Sequence, residues 1–472
     1  MIILCILLFT YSILNLLFLD NISIIQNLTT LVFTHVILIL IIFFRNNSFQ
    51  NTFLWFQLMF FLLVSFTPCL ILLGFVELED ILNLRTNFYN NISETSFSLA
   101  VALSNFAITF LTFLFLLFPY KDLSKSYIAS YPRLFNFSLP FLLLLLPLMF
   151  YMTYMQVMFI KEVGYAFIYT GEVPKFLPFQ SVIVNLSTIF FYLVLTSKPR
   201  EKFFIIIGLI FLALKFLESI AGARGAFILP LFAFIWLWSL LYNKGKIPIF
   251  TSSFVMASLL LFSIFITSSR DETSKSFEST EISFVSSLLG IGKGLETFAI
   301  YIDSKNLVQQ NEIFLFQPVI FPIKYISGQD IVGQTETTIQ NRKNLNHQLS
   351  YALNPGAYLS GAGLGSSFLA ESFQYGIFFY IIFLMLFFFF YKFIFDNIIS
   401  NIFLRMLSIP LFTHFIFTPR DHAFVNFFLF FKYLPLLVFI YIFFYGIRLS
   451  KNSFFKSNEN RQNTTRNQSR TN

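Results

Sequence analysis

Residues 357–371 of the sequence read Ala-Tyr-Leu-Ser-Gly-Ala-Gly-Leu-Gly-Ser-Ser-Phe-Leu-Ala-Glu. This glycine-rich run closes a long polar stretch that extends from about Ser268 to Gly376. Before and after the stretch, apolar runs follow one another, each near the roughly 20 residues with which an α-helix crosses a hydrocarbon core about 30 Å thick. The polar stretch therefore separates two sets of predicted membrane helices, and it is the first place to look for chemistry.

The composition indicates a membrane protein. Of the 472 residues, 57% are hydrophobic and only 11% are charged, and the mean hydropathy is +0.75. Soluble domains carry about 25% charged residues, and one soluble core cannot bury this much apolar surface. The fold class is therefore predicted to be all-α and polytopic. The net charge of +8 is attributed to membrane topology and not to nucleic-acid binding.

About twelve membrane spans are predicted from the apolar runs. Residues 1–267 contain nine of them, 268–375 form one large loop, and 376–446 contain the last three. Within the loop, residues 284–302 are expected to form a helix that lies on the membrane surface. Residues 447–472 are basic and polar, so we expect them to be disordered. The spans are 2–19, 29–45, 53–76, 97–120, 134–160, 179–197, 203–221, 226–242, 247–267, 376–396, 401–417 and 423–446.

Lysine and arginine residues predict the orientation of these spans. They recur in every second connection and in the tail, and the positive-inside rule places such connections in the cytoplasm. Both termini are therefore predicted to be cytoplasmic and the large loop to lie outside. The basic residues of the predicted inner connections are Arg45, Lys121, Lys125, Arg133, Lys198, Arg200, Lys202, Lys244, Lys246 and Lys392.

Two hairpin tips on the predicted outer side carry arginines. Arg224 lies between two spans and is flanked by small residues, which allow a helix or a ligand to approach the backbone closely. Arg420 belongs to the second tip, Thr418-Pro419-Arg420-Asp421-His422. A guanidinium group binds phosphate bidentately and keeps its charge. The alternative interpretations are an arginine that anchors a helix end at the interface and an ordinary polar turn.

Further ionisable residues lie in the loop and in one span. His347 precedes the glycine run, and a histidine can accept a proton from a hydroxyl group near pH 7; it can equally be an ordinary surface residue. Lys215 and Glu218 lie three positions apart inside a predicted span, where charges are costly and suggest function. A structural ion pair is the alternative for these two. His35 and His414 are expected to be packed or hydrogen-bonded core residues.

The glycine run itself could offer backbone N–H groups to an anion, because it leads into a helix. It lacks the lysine of a P-loop and lies on the predicted outer side, so a nucleotide site is excluded. Glu371 follows the run and is placed near the outer end of the next span. No cluster of cysteine and histidine residues suggests zinc.

Taken together, these motifs resemble the bacterial O-antigen polysaccharide polymerase (Wzy) family. The resemblance rests on the whole topology and on matching residues near 222–227, 345–376 and 418–423, of which the run Gly-Leu-Gly-Ser-Ser-Phe-Leu-Ala-Glu is the most specific. It implies a membrane-embedded glycosyltransferase of the C-type superfamily, related to O-antigen ligases. It also implies a location in the bacterial inner membrane and an active site at the periplasmic face.

The resemblance further implies the chemistry and its partners. Such enzymes transfer a growing chain from undecaprenyl pyrophosphate to a new lipid-linked oligosaccharide unit, with no cofactor and no catalytic metal, and they work with a chain-length regulator. On this basis Arg224 and Arg420 are expected to hold the pyrophosphate, with Arg342 as a third possibility. His347 is the first choice for the catalytic base and Glu371 the second. Glu371 has the alternative role of orienting an arginine.

Other classes of membrane protein are the competing interpretations. A lipid-linked oligosaccharide flippase would line a cavity with intramembrane charges, but transporters usually show internal repeats and short loops, and this sequence shows no repeat. An O-antigen ligase is closer in chemistry. The polymerase interpretation makes a spatial prediction: Arg224, Arg420 and His347 face one outer cavity.

Overall fold

The computed structural model describes residues 1–46, 51–83, 88, 91–121, 128–163, 174, 176–220, 225–243, 293–308, 312–329, 333–425, 428, 430–435, 437–439 and 442. Every regular element in these ranges is a helix. The chain divides into two compact units, Met1–Asn426 and Phe427–Asn472. The second contains an apolar helix at Phe430–Phe439. The predicted span 247–267, loop residues 268–292 and tail 447–472 lie outside the described residues, and the span 423–446 is described only in pieces.

Membrane-spanning helices account for most of the first unit. Six described helices are long and apolar enough to cross a membrane, and they are Ile24–Arg45, Thr52–Leu72, Glu94–Leu117, Pro132–Val163, Glu201–Ile220 and Ile377–Asn397. Three shorter apolar helices match further predicted spans, at Ile2–Leu17, Gln180–Thr196 and Ala226–Leu241. The all-helical, polytopic fold class is thereby confirmed, whereas the number of twelve spans stays a prediction.

The helix Glu94–Leu117, called here the central helix, organises this unit. In its most apolar window 89% of the residues are buried. It packs against Ile2–Leu17, Ile24–Asn46 and Ile377–Asn397. Polar side chains tie these helices together, as when Ser12 and Thr109 share a hydrogen bond of 2.9 Å between their hydroxyl groups. Such pairs satisfy polar groups that lipid cannot solvate.

Two predicted spans are interrupted next to a proline. The span Thr52–Leu72 contains a π-helical turn at Phe61–Ser65, which ends three residues before Pro68. The segment predicted as one span at 401–417 forms two helices, Ile402–Met406 and Ser408–Phe417. Pro410 explains the second break, because a proline has no N–H to bond the carbonyl four residues earlier and its ring clashes with that turn. That carbonyl belongs to Met406, where the first helix ends.

Several basic residues contact the C-terminal end of the central helix and the segment that follows it. Four basic side chains from separate connections or helices bond main-chain carbonyls there. These bonds are Arg45 Nη1 to Leu116 O (3.0 Å), Lys392 Nζ to Pro119 O (2.7 Å), Lys198 Nζ to Ile128 O (3.1 Å) and Arg405 Nη1 to Ala129 O (2.6 Å). The grouping agrees with the positive-inside assignment, while the side of the membrane that this end faces stays a prediction.

The loop lies at the opposite end of the central helix and is itself helical. Its described part contains Lys293–Asp303, Gln317–Ile326, Glu336–Asn341, Leu345–Leu353, Pro355–Leu359 and Phe368–Ser372. Asp303 Oδ1 accepts hydrogen bonds from Ser93 and Ser96 at the start of the central helix, at 2.5 and 2.8 Å. The loop is therefore fixed to the end of the bundle away from the basic connections.

The helix Lys293–Asp303, called here the wedge helix, does not lie on a membrane surface. Residues 294–301 are all buried, and the helix packs against the central helix, the π-helical turn and the Thr418–Arg420 turn. The expectation of a surface helix over 284–302 is therefore wrong for its described part. Protein, not lipid, covers both the apolar and the polar sides of this segment, and an amphipathic pattern cannot distinguish the two environments.

The ionisable residues inside the spans have structural partners. Lys215 Nζ lies 2.8 Å from both carboxylate oxygens of Glu218, so these two residues form the ion pair that the sequence left as the alternative. His35 is fully buried and bonds Ser65 Oγ at 2.7 Å and Gln57 O at 3.1 Å. The interpretation of His35 as a hydrogen-bonded core residue is confirmed. His414 is less buried, with Nδ1 4.0 Å from Asp421 Oδ2.

Gly294 lets the wedge helix reach its position, and replacing it by alanine is expected to destabilise the protein. A Cβ atom there would lie 2.7 Å from the Leu63 carbonyl oxygen and 2.9 Å from that of Pro419. Both are backbone atoms, so the helix must shift, and such overpacking costs about 1–3 kcal/mol. A lower apparent Tm of the purified Gly294→Ala variant in detergent checks this. Gly356→Ala is the matched control, because its nearest neighbour would lie 3.5 Å away. An unchanged Tm for Gly294→Ala would contradict the expected clash.

Candidate active site

A histidine and a glutamate from distant parts of the chain form a buried pair. His422 Nδ1 hydrogen-bonds Glu371 Oε1. The histidine is 5% exposed and the glutamate is fully buried. Glu371 belongs to the short helix that ends the loop, and His422 ends the tip Thr418–His422 between two spans. Packing of that loop helix against the Thr418–Arg420 turn brings the two residues together.

Asn344 binds the other ring nitrogen of His422. Its Nδ2 lies 2.9 Å from His422 Nε2, and an amide nitrogen only donates, so Nε2 accepts with its lone pair while Nδ1 carries the hydrogen toward Glu371. Asn344 stands at the start of the helix Leu345–Leu353 but its side chain does not cap that helix. An asparagine at this position normally bonds the first turn, so this one is diverted to the histidine.

The environment of His422 favours its protonated form. Burial alone would lower its pKa, but the charge of Glu371, the hydrogen bond to it and the charge of Asp421 outweigh burial. The pKa is therefore raised above the ordinary value of 6.5, although Arg342 opposes the shift. A histidine whose pKa lies above its ordinary value and whose second nitrogen can reach a polar partner is suited to general acid–base chemistry.

The glycine run positions Glu371. Gly365 has a φ of +85°, in the left-handed region that side chains disfavour. The turn made there places Ser366, whose hydroxyl donates to Glu371 Oε1 at 2.9 Å. The Ala423 N–H donates to Glu371 Oε2 at 3.3 Å. The carboxyl group is thus held from two sides before any substrate is present.

Side chains of the loop hold the run in place. Ser350 Oγ accepts from the Leu364 N–H at 3.1 Å, and the Leu364 carbonyl accepts from Thr297 Oγ1 at 3.3 Å. Farther along, Gln374 bonds the Phe314 N–H through Oε1 at 2.9 Å and the Glu312 carbonyl through Nε2 at 2.8 Å. These bonds connect the run to the wedge helix and to the middle of the loop.

His347 forms a second pair, with Tyr358. Its Nδ1 and the tyrosine hydroxyl share a hydrogen bond of 2.5 Å, and His347 is 5% exposed. Burial, with the charges of Arg342 and His422, lowers the pKa of His347 to about 2. Burial raises the pKa of Tyr358 to about 12. The pair is therefore neutral near pH 7.

Arg342 acts electrostatically on both histidine pairs. Its guanidinium carbon lies 5.0 Å from the centre of the Phe321 ring, a cation–π distance. Its charge acts on His347 and His422, and it interacts with Asp421 of the tip. Arg342 therefore supplies positive charge beside the tip, as a residue that binds an anion would.

Arg420 faces a buried acid that the sequence did not single out. Glu296 of the wedge helix is 5% exposed, and its Oε1 has no hydrogen-bond partner among the described residues. Burial raises the pKa of Glu296 to about 7, against the charges of Lys293 and Arg420. On the same helix Tyr301 is buried, and burial, followed by the charges of Tyr375 and Glu371, raises the pKa of its hydroxyl. The wedge helix, which packs against the Thr418–Arg420 turn and the loop helix Phe368–Ser372, thus contributes a buried acid and a buried phenol to this region.

The predicted site residues come together in part. His347, Glu371 and Arg342 interact with His422 or Asp421 of the tip, and Arg420 precedes Asp421 in the same tip. Arg224 lies outside the described residues, so the prediction that it shares a cavity with Arg420 and His347 stays a prediction. The sequence indicated His422 only as a member of the tip. Nothing in the sequence indicated that the distant Glu371 would meet the tip, where Asp421 and His422 lie.

A family model matches nearly the whole chain. The model of the family described as O-antigen polysaccharide polymerase Wzy matches residues 1–453, essentially the whole chain. No curated protein and no solved structure matches.

Proposed function

The chain belongs to the O-antigen polysaccharide polymerase (Wzy) family, and from that premise we propose that it joins oligosaccharide units carried on undecaprenyl pyrophosphate. The reaction takes place at the periplasmic face of the inner membrane, and the growing chain moves to the new unit. The family supports polymerase activity in a membrane protein. The undecaprenyl pyrophosphate carrier, the periplasmic location of the reaction and the direction of chain transfer are parts of the proposal. Cytoplasmic termini and a chain-length regulator as partner also belong to it.

The observation that carries the mechanism is the buried pair of His422 and Glu371. In the proposed reaction His422 Nε2 takes the proton of an acceptor sugar hydroxyl. The hydroxyl oxygen forms a bond to the anomeric carbon of the growing chain, and the bond from that carbon to the pyrophosphate breaks. Glu371 stabilises the imidazolium that results, as an orienting carboxylate does in other acid–base pairs.

Asn344 marks where the acceptor hydroxyl binds. Its amide now donates to the Nε2 atom that the hydroxyl must reach, so the acceptor displaces it. The Asn344 oxygen has no partner among the described residues. A rotated amide could present this oxygen to Nε2–H after proton transfer, and Asn344 can therefore serve both protonation states of His422.

Positive charge for the leaving pyrophosphate comes from the tip and its neighbours. Arg420 lies two residues before His422, and Arg342 acts on the same ring. Arg224 joins this set as a prediction from the sequence. Stabilisation of charge that develops in the transition state is usually the largest catalytic contribution. His347, whose pKa lies near 2, fits hydrogen bonding to a sugar better than proton abstraction.

Deletion of the gene in its bacterial host tests the polymerase assignment. Loss of a polymerase is expected to leave lipopolysaccharide that carries a single repeat unit, because units are still exported and ligated but not joined. Gel electrophoresis of the lipopolysaccharide, with the wild-type gene restored on a plasmid as control, measures this. Loss of every O-antigen band would favour the flippase or the ligase instead.

A further inference from the structure

The position of Glu296 is fixed by the fold. Two residues earlier, Gly294 lies so close to two carbonyl oxygens, one from the π-helical turn and one from Pro419 of the tip, that a Cβ atom there would clash with both. The wedge helix cannot slide without losing this fit. Glu296 is consequently held beside Arg420, and it is buried there.

Few titratable groups lie on the described elements that pack against the wedge helix. The charged groups that act on its carboxyl are Lys293 on its own helix and Arg420 on the tip. The π-helical turn Phe61–Ser65 contains no titratable residue, and the central helix contains only Glu94, in its first turn. The loop helix Phe368–Ser372 also packs against the wedge helix, and its Glu371 is hydrogen-bonded to His422 and Ser366.

Glu296 forms no salt bridge with the described residues around it. Among the described residues, no Lys or Arg nitrogen forms an ion pair with Glu296 within 4.0 Å, and its Oε1 accepts no hydrogen bond. An ionised carboxylate that is buried without partners is costly. Burial accordingly raises the pKa of Glu296 to about 7, so much of it is a neutral carboxylic acid near neutral pH, and a neutral carboxylic acid is a hydrogen-bond donor.

We propose that Glu296 is a proton-coupled member of the pyrophosphate site, whose protonated carboxyl donates a hydrogen bond to a phosphate oxygen held at Arg420. The proposal rests on the function proposed above. The ionised carboxylate of Glu296 repels the bound pyrophosphate, whereas its protonated carboxyl group attracts the pyrophosphate. Binding of the pyrophosphate therefore draws a proton onto Glu296, and loss of that proton favours release of the product carrier.

Binding of inorganic pyrophosphate to the purified full-length protein in nanodiscs tests this proposal. Titration calorimetry at pH 6.5 and pH 8.5 gives the two Kd values. The protonated fraction of Glu296 falls as pH rises through about 7. The Kd of the wild type for pyrophosphate is therefore expected to increase between pH 6.5 and pH 8.5 by about tenfold more than the Kd of Glu296→Gln. The glutamine keeps a neutral donor at both pH values, and the titrations of pyrophosphate and His422 affect both proteins alike.

Glu336→Gln is the matched control, because Glu336 is an exposed loop residue, and it should show the wild-type pH dependence. Equal pH dependence in wild type and Glu296→Gln would overturn the role of Glu296 and leave the polymerase assignment intact. If wild type binds no pyrophosphate at either pH, the pyrophosphate site around Arg420 fails instead. A Glu296→Gln protein with the same monodisperse elution as wild type excludes misfolding as the cause of any difference.

Discussion

His422→Ala is expected to lower the polymerisation rate by about 10²–10⁴-fold, the range that a positioned general base contributes. Among the described side chains, only His422 bonds both Glu371 and Asn344, and the substitution removes its ring. Polymerisation by the purified enzyme, with a synthetic lipid-linked repeat unit as substrate, measures the change. In cells the same variant is expected to display single repeat units.

The pH dependence separates a base from a structural residue. A base must be neutral to accept a proton, so wild-type activity is expected to fall as pH falls through the raised pKa of His422. Glu371→Gln removes the charge that raises this pKa, and the acidic limb should then move to lower pH. A residue that merely supports the fold would change the amount of active enzyme and not the position of the limb.

His347→Ala is the matched comparison, because His347 of the loop is as buried as His422. Its pKa of about 2 makes it a weak base, so we expect a smaller loss, expressed mainly in KM. A large loss of kcat for His347→Ala with little loss for His422→Ala would reverse the assignment and restore the first choice made from the sequence. Size-exclusion profiles show whether each variant folds, which matters because removal of His422 leaves a buried carboxyl without its partner.

Arg420→Ala is expected to lower kcat by about 10²–10³-fold, the usual cost of one lost group that stabilises developing charge. The arginine lies two residues before the base in the tip, and its charge acts on Glu296 of the wedge helix. Arg420→Lys is expected to recover only part of the activity, because an ammonium group cannot bind a phosphate bidentately. Full activity in Arg420→Ala would contradict its role at the leaving group.

Arg200→Ala serves as the matched control for Arg420. Arg200 is exposed in a predicted inner connection, next to the start of the helix Glu201–Ile220. Its loss should leave the polymerisation rate unchanged. A loss similar to that of Arg420→Ala would mean that general surface charge, and not the tip, determines binding of the anionic substrate.

The sequence by itself determined the membrane class and most of the spans. Apolar runs of membrane-crossing length admit few other folds, since every backbone polar group in lipid must be bonded within a helix. The glycine run was also informative, because positive φ values at Gly361 and Gly365 require glycine. In the structure, the turn at Gly365 places Ser366, whose hydroxyl group donates to the Glu371 carboxyl group.

Only the tertiary structure decided which of these residues meet. Asn344, Glu371 and His422 are separated by 27 to 78 positions, which follows from their numbers, and no periodicity in the sequence connects a loop to a hairpin tip. Burial is likewise a property of the packed chain: it makes His347 a poor base, raises the pKa of Glu296 and turns a predicted surface helix into a buried wedge. Composition locates charge along the chain, but desolvation and neighbouring charges, which the fold alone supplies, determine what that charge can do.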